Sequence, residues 1–139
     1  MTKLFLVPLF LHVLLIFFIG VQTLRSRIKS VKRGETKLSD IATNPDAWPR
    51  RIRQMAYNFD SQFDLPMLWY SVSGLLVATR MVDMYCVALS WFFLFSRCAH
   101  SLVHMGRNDV PTRMRVFVAG FMAVLALWFW FGVKFFVNG

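Results

Sequence analysis

The chain is short of acidic residues, of cysteine and of polar surface. Of 139 residues only seven are Asp or Glu, against 16 Lys and Arg, for a net charge of +9. Charged residues make up 17%, while 57% are hydrophobic and 17% aromatic. An ordinary soluble domain carries more charge and fewer apolar side chains, so this composition points to helices in a bilayer. The two cysteines, Cys86 and Cys98, are 12 residues apart in one apolar stretch. On one helix that is about 18 Å along the axis, too far for a disulfide, so they read as small packing residues. No small-x-small cleavage site follows the first apolar run, which excludes a signal peptide. No soluble domain is there to present a nucleic-acid-binding arm. The basic excess is therefore assigned to the membrane surface and its anionic lipids.

Four spans are expected. Residues 4–24, LFLVPLFLHVLLIFFIGVQTL, run without a formal charge and are long enough to cross. A basic loop, 25–53, follows with nine of the 16 Lys and Arg. Residues 63–79 form the second span, entered by a polar helix from about residue 48 and kinked at Pro66. The short connection RMVD, 80–83, predicts an antiparallel hairpin with the third span, 84–105. A loop with three arginines, 106–115, precedes the fourth span, 116–136, whose Trp128, Trp130 and Lys134 suit an interface. The fold class expected is an all-α, up-down-up-down bundle of four transmembrane helices. Four crossings place both basic loops on one side, which the positive-inside rule makes cytoplasmic, with both termini outside.

The polar residues within the spans gather at the cytoplasmic half. Arg97, His100 and His104 stand at i, i+3 and i+7, so one helix face carries all three. An arginine in hydrocarbon costs several kcal/mol on the gentlest scales, so such a residue faces the protein interior or a wet cavity. On the second helix Arg51, Gln54, Asn58 and Gln62 share one face, and Arg53, Asp60 and Asp64 another. Asp60 or Asp64 is the expected partner of Arg97. Arginines outnumber acids here, which suits a small ligand bearing carboxylates, because a guanidinium pairs with a carboxylate through two hydrogen bonds. The bland alternatives are a salt bridge for Arg97 and polar helix–helix contacts for the two histidines. A metal shared by His100 and His104 lacks an evident third ligand, so no metal site is expected.

Two stretches carry a family resemblance. Residues 96–120, SRCAHSLVHMGRNDVPTRMRVFVAG, and residues 51–70, RIRQMAYNFDSQFDLPMLWY, resemble the MAPEG family (membrane-associated proteins in eicosanoid and glutathione metabolism), its bacterial members above all. The resemblance implies a homotrimer in a bacterial inner membrane, with glutathione as co-substrate bound between subunits on the cytoplasmic side. It implies Arg113 and His104 as catalytic residues, Arg113 supporting the thiolate and His104 standing where the enzymes commonly have a tyrosine. It implies Arg51, Arg53, Asn58, Gln62, Asp64, Arg97 and His100 as the binding set. The family's second-helix glutamate has no clean match, Gln62 standing at one spacing to Pro66 and Asp64 at another, and Met114 follows Arg113 where one branch has a hydroxyl. The activity implied is attack of the thiolate on a lipophilic electrophile or lipid peroxide arriving through the bilayer. The alternative is a non-catalytic protein of the same fold, binding lipid or serving as a subunit of a larger membrane complex.

Overall fold

The computed structural model describes residues 1–138, and among them it is helical with no strand. The elements are α1 (Thr2–Lys32), α2 (Leu38–Ile41), a 3₁₀ turn (Pro45–Ala47), α3 (Arg50–Asp60), α4 (Leu65–Ala78), α5 (Met84–Met105) and α6 (Val110–Asn138). Three helices are long and apolar enough to cross a membrane: α1, α5 and α6. The protein is thus an integral membrane protein by helix length and hydropathy.

Three element boundaries differ from expectation. First, α1 runs on to Lys32, so the basic RSRIKSVK segment is helical and not loop. Lys and Arg are good helix formers, and nothing interrupts the helix before Gly34. Gly34 then ends it at φ +71°, with Gly34 N–H donating to Val31 O and Glu35 N–H to Ser30 O, a Schellman closure. Second, the expected kinked second span is two helices, α3 and α4, split by turn residues 61–64. Pro66 lies in the first turn of α4, where a missing N–H costs nothing, so it starts a helix and does not bend one. At 14 residues, α4 alone is shorter than a span. Third, α6 starts at Val110, which places Arg113 and Arg115 on the helix. Asp109 supplies the start: its carboxylate accepts from the Thr112 N–H (3.0 Å) and from the Thr112 hydroxyl.

Side-chain contacts fix how the helices run. At one end Gln54 of α3, His104 of α5 and Arg113 of α6 meet, and Arg27 of α1 stacks on Trp48 at 5.3 Å. At the other end Trp91 donates to Leu4 O (3.3 Å), and Lys134 of α6 donates to Met81 O (2.9 Å) and Asp83 (2.5 Å). The two arginine-rich segments therefore share one end, here the basic end. The core between consists of Phe5, Trp69, Val72, Leu76, Phe93 and Leu127, all fully buried, with Trp69 packed on Phe93 at 4.6 Å between ring centroids. α5 and α6 approach closely at Gly120, where an added Cβ would lie 2.5 Å from Ser96 Oγ.

Candidate functional site

The polar residues of α3, α5 and α6 form two layers below the basic end. The outer layer is a cleft of about 220 Å³ lined by Arg50, Arg53, Gln54, Tyr57, His104, Asn108 and Arg113. Three guanidinium groups line it and no carboxylate does. The Arg113 guanidinium is held in place by donation to Asn108 Oδ1 at 2.6 Å and lies 3.4 Å from His104 Nδ1. Asn108 reaches that position through a left-handed backbone, φ +52°, which asparagine tolerates better than most residues. His104 is clamped to α3 twice: Nε2 lies 2.9 Å from Gln54 O, and the Gln54 side chain donates to His104 O. A carbonyl accepts, so Nε2 carries the proton and Nδ1 presents a lone pair to Arg113. His100 lies one turn deeper, its ring 5.9 Å from that of His104, and lines a second hollow of about 210 Å³ with Arg113, Met114 and Phe117.

The inner layer is sealed. Arg97 is 1% exposed and donates to Ser61 O (3.0 Å) and Ser61 Oγ (3.1 Å). Ser61 sits where α3 stops, so its carbonyl needs a donor that the helix no longer supplies. Beside it, Ser101 Oγ donates to Asn58 Oδ1 (3.1 Å), and Gln62 donates to Ser101 Oγ (3.0 Å). Gln62 Oε1 in turn lies 3.1 Å from His12 Nε2, and His12 Nδ1 lies 2.8 Å from the Tyr70 hydroxyl. The chain Tyr70–His12–Gln62–Ser101–Asn58 thus joins α1, α3, the 61–64 turn, α4 and α5 through hydrogen bonds that are buried except at half-buried Tyr70.

The sequence-expected residues divide accordingly. Arg53, His104 and Arg113 line the outer cleft, and Asn58, Gln62 and Arg97 belong to the sealed layer. Arg51 and Asp64 are exposed and line neither. The expected pairing of Arg97 with Asp60 or Asp64 does not form: neither acid is within ion-pair distance, and Ser61 takes the guanidinium. Arg97 also does not line the cleft with Arg113. Sequence reasoning missed Arg50, Ser61, Ser101, Asn108 and His12. His12 is the single ionisable residue among residues 4–24, which was a usable signal.

Outside the spans, two carboxylates are strongly held. Burial favours the neutral form of Asp83. Hydrogen bonds from Lys134, the Cys86 N–H and Trp130 outweigh it and keep the group well below the carboxylate range. Asp109 is lowered by its two bonds from Thr112.

A comparison with curated proteins and one with solved structures found no match. A comparison with protein-family models matched the MAPEG family over residues 5–133. That match takes in both polar layers, all of α5 and most of α1 and α6. With nearly the whole sequence aligned to one family model, the chain belongs to the MAPEG family.

Proposed function

We propose that the protein is a membrane-bound glutathione transferase or peroxidase working as a homotrimer of four-span subunits. In this reading α3 and α4 together make the second crossing, and both termini face outside a bacterial inner membrane. The observation that carries it is the outer cleft, with three arginines and no acid in its lining. Glutathione bears two carboxylates and, when ionised, a thiolate, and guanidinium groups stabilise both. Arg50 and Arg53 take carboxylate, with Arg53 giving up its 3.2 Å contact with Asp46. Arg113, one helix away, faces the sulfur. The cleft accommodates one end of a tripeptide, and a neighbouring subunit completes the site. In the transferase reaction the thiolate sulfur bonds to an electrophilic carbon of an apolar substrate reaching it from the bilayer. That carbon's bond to the leaving group breaks as the new bond forms, and the group departs with the electron pair. In the peroxidase reaction the sulfur bonds to a peroxide oxygen as the O–O bond breaks. The alkoxide takes up a proton, and a second glutathione converts the resulting sulfenic acid to disulfide and water.

One observation favours a non-catalytic alternative of the same fold. His104 spends its N–H on Gln54 O and its lone pair on Arg113, which leaves no donor for sulfur. Within the catalytic reading His104 instead holds Arg113 in position. Stopped-flow ultraviolet absorbance separates the two. Glutathione mixed with detergent-solubilised protein near neutral pH should yield a thiolate signal in the catalytic case. No signal at saturating glutathione sustains the alternative.

A further inference from the structure

Asn108, in the loop between α5 and α6, is tied to both helices. Its backbone N–H donates to Val103 O (2.9 Å) at the end of α5, and its side-chain Oδ1 accepts from Arg113 Nη1 (2.6 Å) in the first turn of α6. The amide can face only one way, because an NH2 turned towards a guanidinium would set donor against donor. The left-handed backbone at φ +52° suits asparagine, aspartate and glycine and few other residues.

Both contacts of the Arg113 guanidinium fall on one nitrogen. Nη1 donates to Asn108 Oδ1 and lies 3.4 Å from His104 Nδ1. Among the described residues nothing accepts from Nε or Nη2, and no carboxylate lies within ion-pair distance of Arg113. Nε–H and Nη2–H form a planar two-donor edge that matches an anion. Asp109, next in the chain, spends its carboxylate on the Thr112 N–H (3.0 Å) and hydroxyl. The titratable groups that share a hollow with Arg113 are Arg50, Arg53 and Tyr57 of α3 and His100 and His104 of α5, with no carboxylate among them.

We infer that Asn108 is the positioning residue for the Arg113 cation: it fixes the guanidinium through a neutral acceptor and leaves the free edge, with the whole positive charge, to an anionic sulfur. An aspartate at this position would hold the guanidinium as firmly and cancel its field. A glycine would keep the backbone and the charge and release the clamp. The inference deepens the glutathione reading of the cleft and rests on it. The thiol proton leaves to water through the open cleft, and Asn108 neither takes nor gives one.

The test uses the full chain in detergent with two ligands, glutathione and S-methylglutathione, which keeps both carboxylates and has no thiol to ionise. Ultraviolet absorbance of the bound thiolate against pH gives the midpoint of ionisation, and calorimetry gives the affinity for the S-methyl compound. Asn108→Asp should raise the midpoint by about one unit or more, so that the thiolate present below the midpoint falls roughly tenfold. Asn108→Gly should raise it by less. Both variants should bind S-methylglutathione as the wild type does, because neither touches the carboxylate contacts. A midpoint unchanged or lowered in Asn108→Asp, or a glycine variant identical to the wild type, would overturn the inference. So would a loss of S-methylglutathione binding that matches the loss of thiolate, because Asn108 would then serve only the shape of the cleft. If Asn108→Asp fails to fold, the glycine variant, which adopts this φ freely, decides. The two levels separate cleanly. A wild type that lowers the thiol midpoint not at all from that of free glutathione sinks the glutathione reading, whereas a wild-type thiolate unmoved by either variant sinks the role of Asn108 alone.

Discussion

Replacing Arg97 by leucine tests why a charge sits inside α5. The guanidinium makes two hydrogen bonds, to the carbonyl and the hydroxyl of Ser61, at the point where α3 ends. Bonds to a charged group contribute about 1.5–3 kcal/mol each, and an abandoned buried carbonyl costs about 1–3 kcal/mol. Against this, leucine removes a buried, unpaired charge whose desolvation is itself costly. The opposing terms leave a net loss of about 1–3 kcal/mol, concentrated at the 61–64 turn. The assay is amide hydrogen exchange in detergent, read peptide by peptide. Arg97→Leu should speed exchange across residues 58–66 and leave the α6 amides unchanged. Arg97→Lys should rescue poorly, because both bonds come from the terminal Nη2, which lies farther along the side chain than a lysine Nζ reaches. Unchanged exchange at the turn, together with a fall in glutathione affinity, would refute the brace and make Arg97 a ligand contact.

Other outcomes follow from the same contacts. Arg80 closes α4 in a left-handed conformation at φ +58°, so Arg80→Gly should stabilise the protein by about 1 kcal/mol in a denaturant titration. Gly120→Leu should overpack the α5–α6 contact and destabilise by about 1–3 kcal/mol, or more if Ser96 cannot yield. Asp109→Ala should fray the start of α6, seen as faster exchange of its first-turn amides. Because the Asp109 pKa is lowered in the folded state, its contribution is present above the ordinary carboxylate pKa. Acid should reproduce the fraying only as pH falls through the lowered value. Ser39, exposed on α2, should take a membrane-impermeant label as Ser39→Cys only from the cytoplasmic side. Labelling from outside intact cells would reverse the proposed orientation.

Much of the helical pattern was legible because long apolar runs leave few alternatives. The third apolar run ends at Gly106 and begins at Asp83, both helix-boundary residues, and α5 occupies the residues between them. The basic end of α1 was misread because charge was taken as a sign of loop, although Lys and Arg favour helix. The break at 61–64 was also written in the sequence, since Asp64 followed by Leu65 and Pro66 is a helix-start signal. It was hidden by the assumption that one span is one helix. Side-chain pairing across helices was not legible. Periodicity says which residues share a face, and it does not set the register of one helix against another. His12 and Gln62 are 50 positions apart, and only the packing of α1 on α3 brings them to 3.1 Å. Arg97 and Arg113 illustrate the same limit. Both were assigned to one cavity, and the packed helices separate them into a sealed layer and an open cleft.

The claim that matters most is that the arginine-lined cleft binds glutathione. Isothermal calorimetry on detergent-solubilised protein tests it directly, with Arg113→Leu run beside the wild type. The account predicts saturable heat for the wild type and an affinity roughly 10- to 150-fold weaker for the variant, the loss of one charge-assisted contact. Oligomer mass should be the same for both, because Arg113 lies at the mouth of the cleft. No heat from the wild type up to several millimolar glutathione, or equal binding by the two proteins, would contradict it.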